Sequence, residues 1–135
     1  MDVVVDANIL FSALIKDGGT AKMMFRDELH LFGPEFLLEE FSKHEETILE
    51  KTHREEEEFQ RLINVLSRRI IFIPKNEFEK FMPDAKEISP DPDDAPYFGL
   101  AILVGADIWS NEKRLKDQDE IKVWSTGELI EKFFQ

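Results

Sequence analysis

Asp2-Val3-Val4-Val5-Asp6-Ala7-Asn8-Ile9 opens the chain. Three consecutive β-branched residues without alternation form the pattern of a strand buried on both faces. An acid ends that strand, and Asn8–Ile15 then reads as a short helix stopped at Gly18-Gly19. A buried strand feeding a helix through an acidic residue is the opening of an α/β unit. Working outward, the pattern repeats. Thr20 is placed to cap a helix over Ala21–Glu28, and Leu29–Phe32 forms a brief strand. Pro34 is expected to open a long helix to Glu50, followed by another from Arg54 to Ser67 whose Glu55–Glu58 run is a solvated face. Ile70–Ile73 is a second buried strand closed by Pro74, and Asn76–Met82 a short helix. The stiff loop Ser89-Pro90-Asp91-Pro92-Asp93-Asp94-Ala95-Pro96 leads into a helix over Tyr97–Gly105, with Asp93 or Asp94 as its cap. Asp107–Trp109 and Ile121–Trp124 are further strands, and Ser125-Thr126-Gly127-Glu128 has the spacing of a capping box before a last helix to Phe134. Apolar strands separated by helices imply a three-layer α/β/α domain with a short-stranded, mainly parallel sheet.

With 135 residues and no Pro/Gly/Ser-rich linker or internal repeat, the chain reads as a single domain over 1–135. It has no cysteine, which excludes disulfides, thiolate metal sites and a cysteine nucleophile. No apolar run approaches the ~20 residues that span a bilayer, and the N-terminus lacks the sections of a signal peptide. A cytoplasmic protein is expected. Against 29 acidic residues stand 17 basic ones, for a net charge of −12. That balance opposes nonspecific binding to phosphate backbones, although a site that holds divalent cations must itself be negative and its metal reverses the local field.

In a parallel sheet, chemistry belongs at the carboxyl ends of the strands. Asp6 stands there after the first strand, with Asn8 beside it, and Ser110-Asn111-Glu112 stands there after Asp107–Trp109. Asp94 opens the helix that feeds the latter strand. In the helix after Pro34, Leu37, Leu38, Phe41 and Ile48 define the apolar face; at roughly 100° per residue Glu40 falls on its margin and Glu39 almost opposite. Taken singly, Asp6 and Asp94 would be helix caps, Glu40 a surface charge and Glu112 a solvated loop residue. Taken together, four carboxylates from four segments suit Mg²⁺ or Mn²⁺, which accept oxygen ligands. Zinc is disfavoured because the only histidines are the scattered His30, His44 and His53.

Read in order, Val3–Ile9, Leu37-Leu38-Glu39-Glu40-Phe41, Asp91-Pro92-Asp93-Asp94 running into Phe98-Gly99-Leu100-Ala101, and Gly105–Glu112 resemble the PIN-domain nucleases, in particular the small VapC-toxin-like members. The resemblance spans almost the whole chain. It implies a metal-dependent ribonuclease in which Asp6, Glu40, Asp94 and Glu112 are the catalytic, metal-holding acids, with Asn8, Asp91 and Ser110 supporting. The fourth position usually reads Thr-x-Asp and here reads Ser110-Asn111-Glu112, which keeps the hydroxyl and the charge and adds a methylene. Asp117 is a poorer substitute by spacing. The implied chemistry is in-line attack of an activated water on an RNA phosphodiester, giving 5′-phosphate and 3′-hydroxyl ends. Lys16, Lys113 and Arg114 are candidate phosphate contacts. The resemblance further implies an antitoxin protein as partner and a homodimer, to which the large phenylalanine supply also points. Three rivals compete. An inactive binding module on the same fold is favoured by the acidity and by Glu112. A haloacid-dehalogenase-like phosphatase is suggested faintly by Asp17-Gly18-Gly19-Thr20. A receiver-like domain lacks its adjacent acids and late lysine.

Overall fold

The computed structural model describes residues 1–15 and 18–134. Lys16, a candidate phosphate contact, and Asp17, the start of the Asp-Gly-Gly-Thr element, lie outside the described residues. Among those described, five strands and eight α-helices follow one another: β1 (Asp2–Val5), α1 (Ala7–Ile15), α2 (Gly19–Met24), β2 (His30–Pro34), α3 (Phe36–Thr52), α4 (Glu56–Arg68), β3 (Ile70–Ile73), α5 (Lys75–Phe78), α6 (Met82–Ile88), α7 (Ala95–Val104), β4 (Asp107–Trp109), β5 (Val123–Trp124) and α8 (Thr126–Phe133). All strand pairs are parallel, in the order β3-β2-β1-β4-β5.

This order places the helices. The chain moves from β1 to β2 to β3 in one direction across the sheet, then crosses back to β4 on the far side of β1. Right-handed crossovers in opposite directions put their helices on opposite faces. Accordingly α1 packs on α2 and α3, and α2 on α8, while α5 and α6 pack on α7. Successive residues of a strand face opposite sides, and Val3, Val4 and Val5 are all 0% exposed, so both faces of the central strand are covered. Trp109, Phe78 and Phe98 are the largest fully buried side chains. Helix α7 is apolar on almost every side, with Tyr97, Phe98, Gly99, Leu100 and Ala101 all buried. It packs against β1, β2 and β4 beneath α6. Gly105 ends it at φ 67°, a left-handed conformation that favours glycine.

Several boundaries differ from the sequence reading. Pro34 belongs to β2 rather than to the following helix, because β2 pairs with β1 only as far as Phe32 and continues through Gly33 to Pro34 against β3 alone. The proline thus occupies a strand end where a missing N–H leaves the β1 ladder intact. Thr20 lies inside α2, with Gly18 at the cap position, and α2 stops at Met24. The segment read as one helix over Asn76–Met82 divides into α5, a 3-10 turn over Glu79–Phe81, and α6. The last strand is shorter than expected. The Ser125/Glu128 capping box is formed in full.

Candidate active site at the point where strand order reverses

Strands β1 and β4 lie side by side, and the chain departs from them in opposite directions across the sheet. That is the crevice at which open parallel sheets bind ligands. Val5 is in register with Trp109, so Asp6 and Ser110 emerge together at the carboxyl ends of the two strands. The Asp6 N–H still donates to the Trp109 carbonyl at 3.4 Å, and the Ser110 N–H donates to the Trp124 carbonyl at 3.0 Å.

Asp6 is only 4% exposed. Its Oδ1 accepts from the Ile9 N–H at 3.0 Å, so the capping role open to it in the sequence is realised. Its Oδ2 accepts from the Ser110 hydroxyl in a short hydrogen bond. That hydroxyl in turn accepts from the Glu112 N–H at 3.1 Å. Burial pushes the Asp6 carboxyl above its usual range. The bonds from Ser110 and the Ile9 N–H hold it down, the Glu112 charge pushes it up, and the Asn8 N–H holds it down. The Asn8 side chain itself is exposed, in a cleft of about 260 Å³ between α1 and α3 that Phe11, His44 and Thr47 also line.

Asp91 caps the 3-10 turn Pro92–Asp94 by accepting from the Asp93 N–H at 3.0 Å. Asp94 stands at the start of α7 yet makes no side-chain cap bond, so its carboxylate is left for the crevice. Loss of hydration, then the charges of Asp91, Asp6, Glu112 and Asp93, push its pKa up to about 6. Asp94 therefore lies in the field of both Asp6 and Glu112, and Asp6 in that of Glu112. Glu112 itself is exposed, at the head of the 3-10 turn Lys113–Lys116.

Glu40 is partly buried on α3, and Glu39 is exposed, as the helical wheel requires. Leu38, assigned to the apolar face, is instead 42% exposed, because the face that α3 buries narrows to Leu37, Phe41 and Ile48. Lys43 Nζ lies 3.6 Å and His44 Nε2 3.8 Å from the Glu40 carboxylate. Glu40 joins the group through Tyr97: burial first, then the charge of Asp6, and further the charges of Asp94 and Glu40, drive the Tyr97 phenol well above its usual value, against the N–H of Ala7. Tyr97 was not singled out in the sequence. The available signal was its place one helical turn beyond Asp94. Arg114, a candidate phosphate contact, reaches back to the acidic loop, with Nη1 3.5 Å from the Asp91 carboxylate and Nη2 3.4 Å from the Pro90 carbonyl. Asn111 also has a local task, accepting from the Thr126 N–H at 2.7 Å at the start of α8.

The donor set is oxygen only, buried at Asp6 and self-repelling at Asp94, and its chemistry fits a hard divalent cation. Among the described residues, however, no three acidic or histidine side chains stand close enough to ligate one ion as placed. Also among the described residues, no helix is long and apolar enough to cross a membrane.

The family described as PIN domain matches residues 4–132. No functionally curated protein matches the sequence. Among solved structures, the fold is similar to a chain of VapBC2 from Rickettsia felis, crystallised bound to a DNA fragment from their promoter. The TM-score is 0.65 at 14% identity, over 93% of this chain and 98% of that one.

Proposed function

From the premise that the chain belongs to the PIN-domain family, we propose that it is a metal-dependent endoribonuclease using Mg²⁺ or Mn²⁺. Its acids are Asp6, Glu40, Asp94 and Glu112, with Asn8, Asp91 and Ser110 in support. The observation that carries this reading is the convergence of the Asp6, Asp94 and Glu112 segments where the strand order reverses, where loss of hydration first and the charges of Asp91, Asp6, Glu112 and Asp93 next lift Asp94 to about 6. A bound divalent cation supplies the charge that activates a water and neutralises the departing oxygen of a phosphodiester. The chain's own residues do the rest. Ser110 holds one Asp6 oxygen and the Glu112 N–H at once, which ties the Glu112 backbone to the Asp6 carboxylate. Asp91 spends its carboxylate on the turn and so leaves that of Asp94 uncommitted.

The fold it shares with the VapBC2 chain supports a place in a toxin–antitoxin pair, with an antitoxin protein as partner. Association of two copies belongs to the same reading, with the exposed Leu38, Val65 and Ile71 as candidate contacts. A second reading, a binding module without catalysis, is favoured by the exposure of Glu112 and by the absence of three ligating acids within reach of one ion among the described residues.

Labelled single-stranded and structured RNA, incubated with the purified protein in Mg²⁺, Mn²⁺ or EDTA, separates the two. Cleavage that requires metal and is lost in Asp6→Asn and Asp94→Asn is the result expected of the nuclease. A folded protein that cuts no RNA and takes up no metal would instead be the binding module.

A further inference from the structure

Three of the four segments that carry the candidate acids meet at one side chain. Tyr97 lies one turn past Asp94 on α7 and is 5% exposed. Its hydroxyl accepts the N–H of Ala7, the residue after Asp6 and the first of α1, at 3.2 Å. Its ring stands edge-on to that of Phe36, with centroids 5.8 Å apart. Phe36 is the first residue of α3, and Glu40 follows it by one turn on the same side of the helix. A packing role would need only the ring, and a phenylalanine would fill it without burying a hydroxyl that must be satisfied. The hydroxyl instead takes one of the N–H groups that the first turn of α1 leaves without a helical partner. Having accepted that bond, the phenol still has its own proton to donate, and the charges around it are those of Asp6, Asp94 and Glu40.

We propose that Tyr97 is a positioning residue for the metal site, its hydroxyl setting the first turn of α1, and with it Asp6, at a fixed distance from Asp94 and Glu40. This inference rests on the metal-site reading above. Locking three acids to one aromatic anchor reduces the motion that a cation would otherwise have to freeze, as partners behind metal ligands do elsewhere.

The test is Tyr97→Phe, which keeps the ring and its contact with Phe36. Mn²⁺ binding is read by titration calorimetry on the whole chain, and stability by urea unfolding without metal. Gly105→Ala, at the far end of α7, serves as a variant destabilised away from the site. The expected result is a folded Tyr97→Phe protein whose Mn²⁺ affinity falls by about 10–100-fold, while Gly105→Ala keeps wild-type affinity. Wild-type affinity in Tyr97→Phe, or an equal fall in Gly105→Ala, overturns the inference alone. A wild-type chain that takes up no Mn²⁺ overturns the metal-site reading and this inference with it.

Discussion

Removing the Ser110 hydroxyl should destabilise the protein by an amount that depends on pH. Ser110 is 1% exposed and donates to a buried carboxylate. A hydrogen bond to a charged group is worth about 1.5–3 kcal/mol, and one between neutral groups about 0.5–1.5 kcal/mol. Glu112 is exposed, so water replaces the bond its N–H loses. Ser110→Ala should therefore cost about 2 kcal/mol where Asp6 is ionised and about half that where it is protonated. The sign follows from linkage. The folded state raises the Asp6 pKa above 3.8, so it binds more protons there than the unfolded chain does, and stability falls as pH rises through the folded value. Loss of the hydroxyl raises that value further and deepens the fall. With a urea slope of about 1–2 kcal/mol per molar, the unfolding midpoint should drop by about 1–2 M at a pH above the folded Asp6 titration and by clearly less at a pH below it. Asp6→Asn removes the charge, so in that background Ser110→Ala should shift the midpoint alike at both pH values. An equal shift at both pH values in the wild-type background, or no shift, would refute the argument that Ser110 holds a buried charge.

Other outcomes follow from the same geometry. Asp94 must be ionised to hold a cation, so Mn²⁺ affinity measured by titration should fall as pH drops through about 6, and Asp94→Asn should flatten that dependence as well as weaken binding. Glu40→Gln should lower metal-dependent RNA cleavage by at least about tenfold, taking loss of a metal partner as the guide. Glu39→Gln, one position along the helix and facing water, should leave the rate unchanged. Gly105→Ala places a side chain at φ 67° and should cost about 1–2 kcal/mol in urea unfolding. Gly99→Ala should also destabilise, because its Cβ would sit 3.0 Å from Met82 Sδ and 3.3 Å from the Phe78 ring, where α5 and α6 pack on α7.

Legibility divided along the range of the forces involved. Val3–Val5 and Asp107–Trp109 declare themselves as strands because burial on both faces demands unbroken apolar runs. The Ser125/Glu128 box is settled within a single turn of backbone. The Glu40 and Glu39 contrast follows from helical period alone, although the same wheel misplaced Leu38, since how wide a face is buried depends on the neighbours it meets. Pro34 misled for a related reason. A proline signals a helix start locally, while its tolerance at the end of β2 depends on how far β1 extends beside it.

By itself the sequence determined the α/β class and the places of the buried strands, and it offered Asp6, Asp94 and Glu112 beside strand or helix ends and Glu40 by helical period as candidate acids, because hydrophobic period and strand-end punctuation are properties of neighbouring residues. Only the tertiary structure decided that β1 and β4 are adjacent, which brings Asp6 and Ser110 into hydrogen-bonding contact across a separation of 104 residues. It likewise decided that Asp91 rather than Asp94 spends its carboxylate on the turn, and that Tyr97 ties α7 to α1 and α3. Strand order depends on which distant apolar surfaces fit together, and no local pattern encodes that choice.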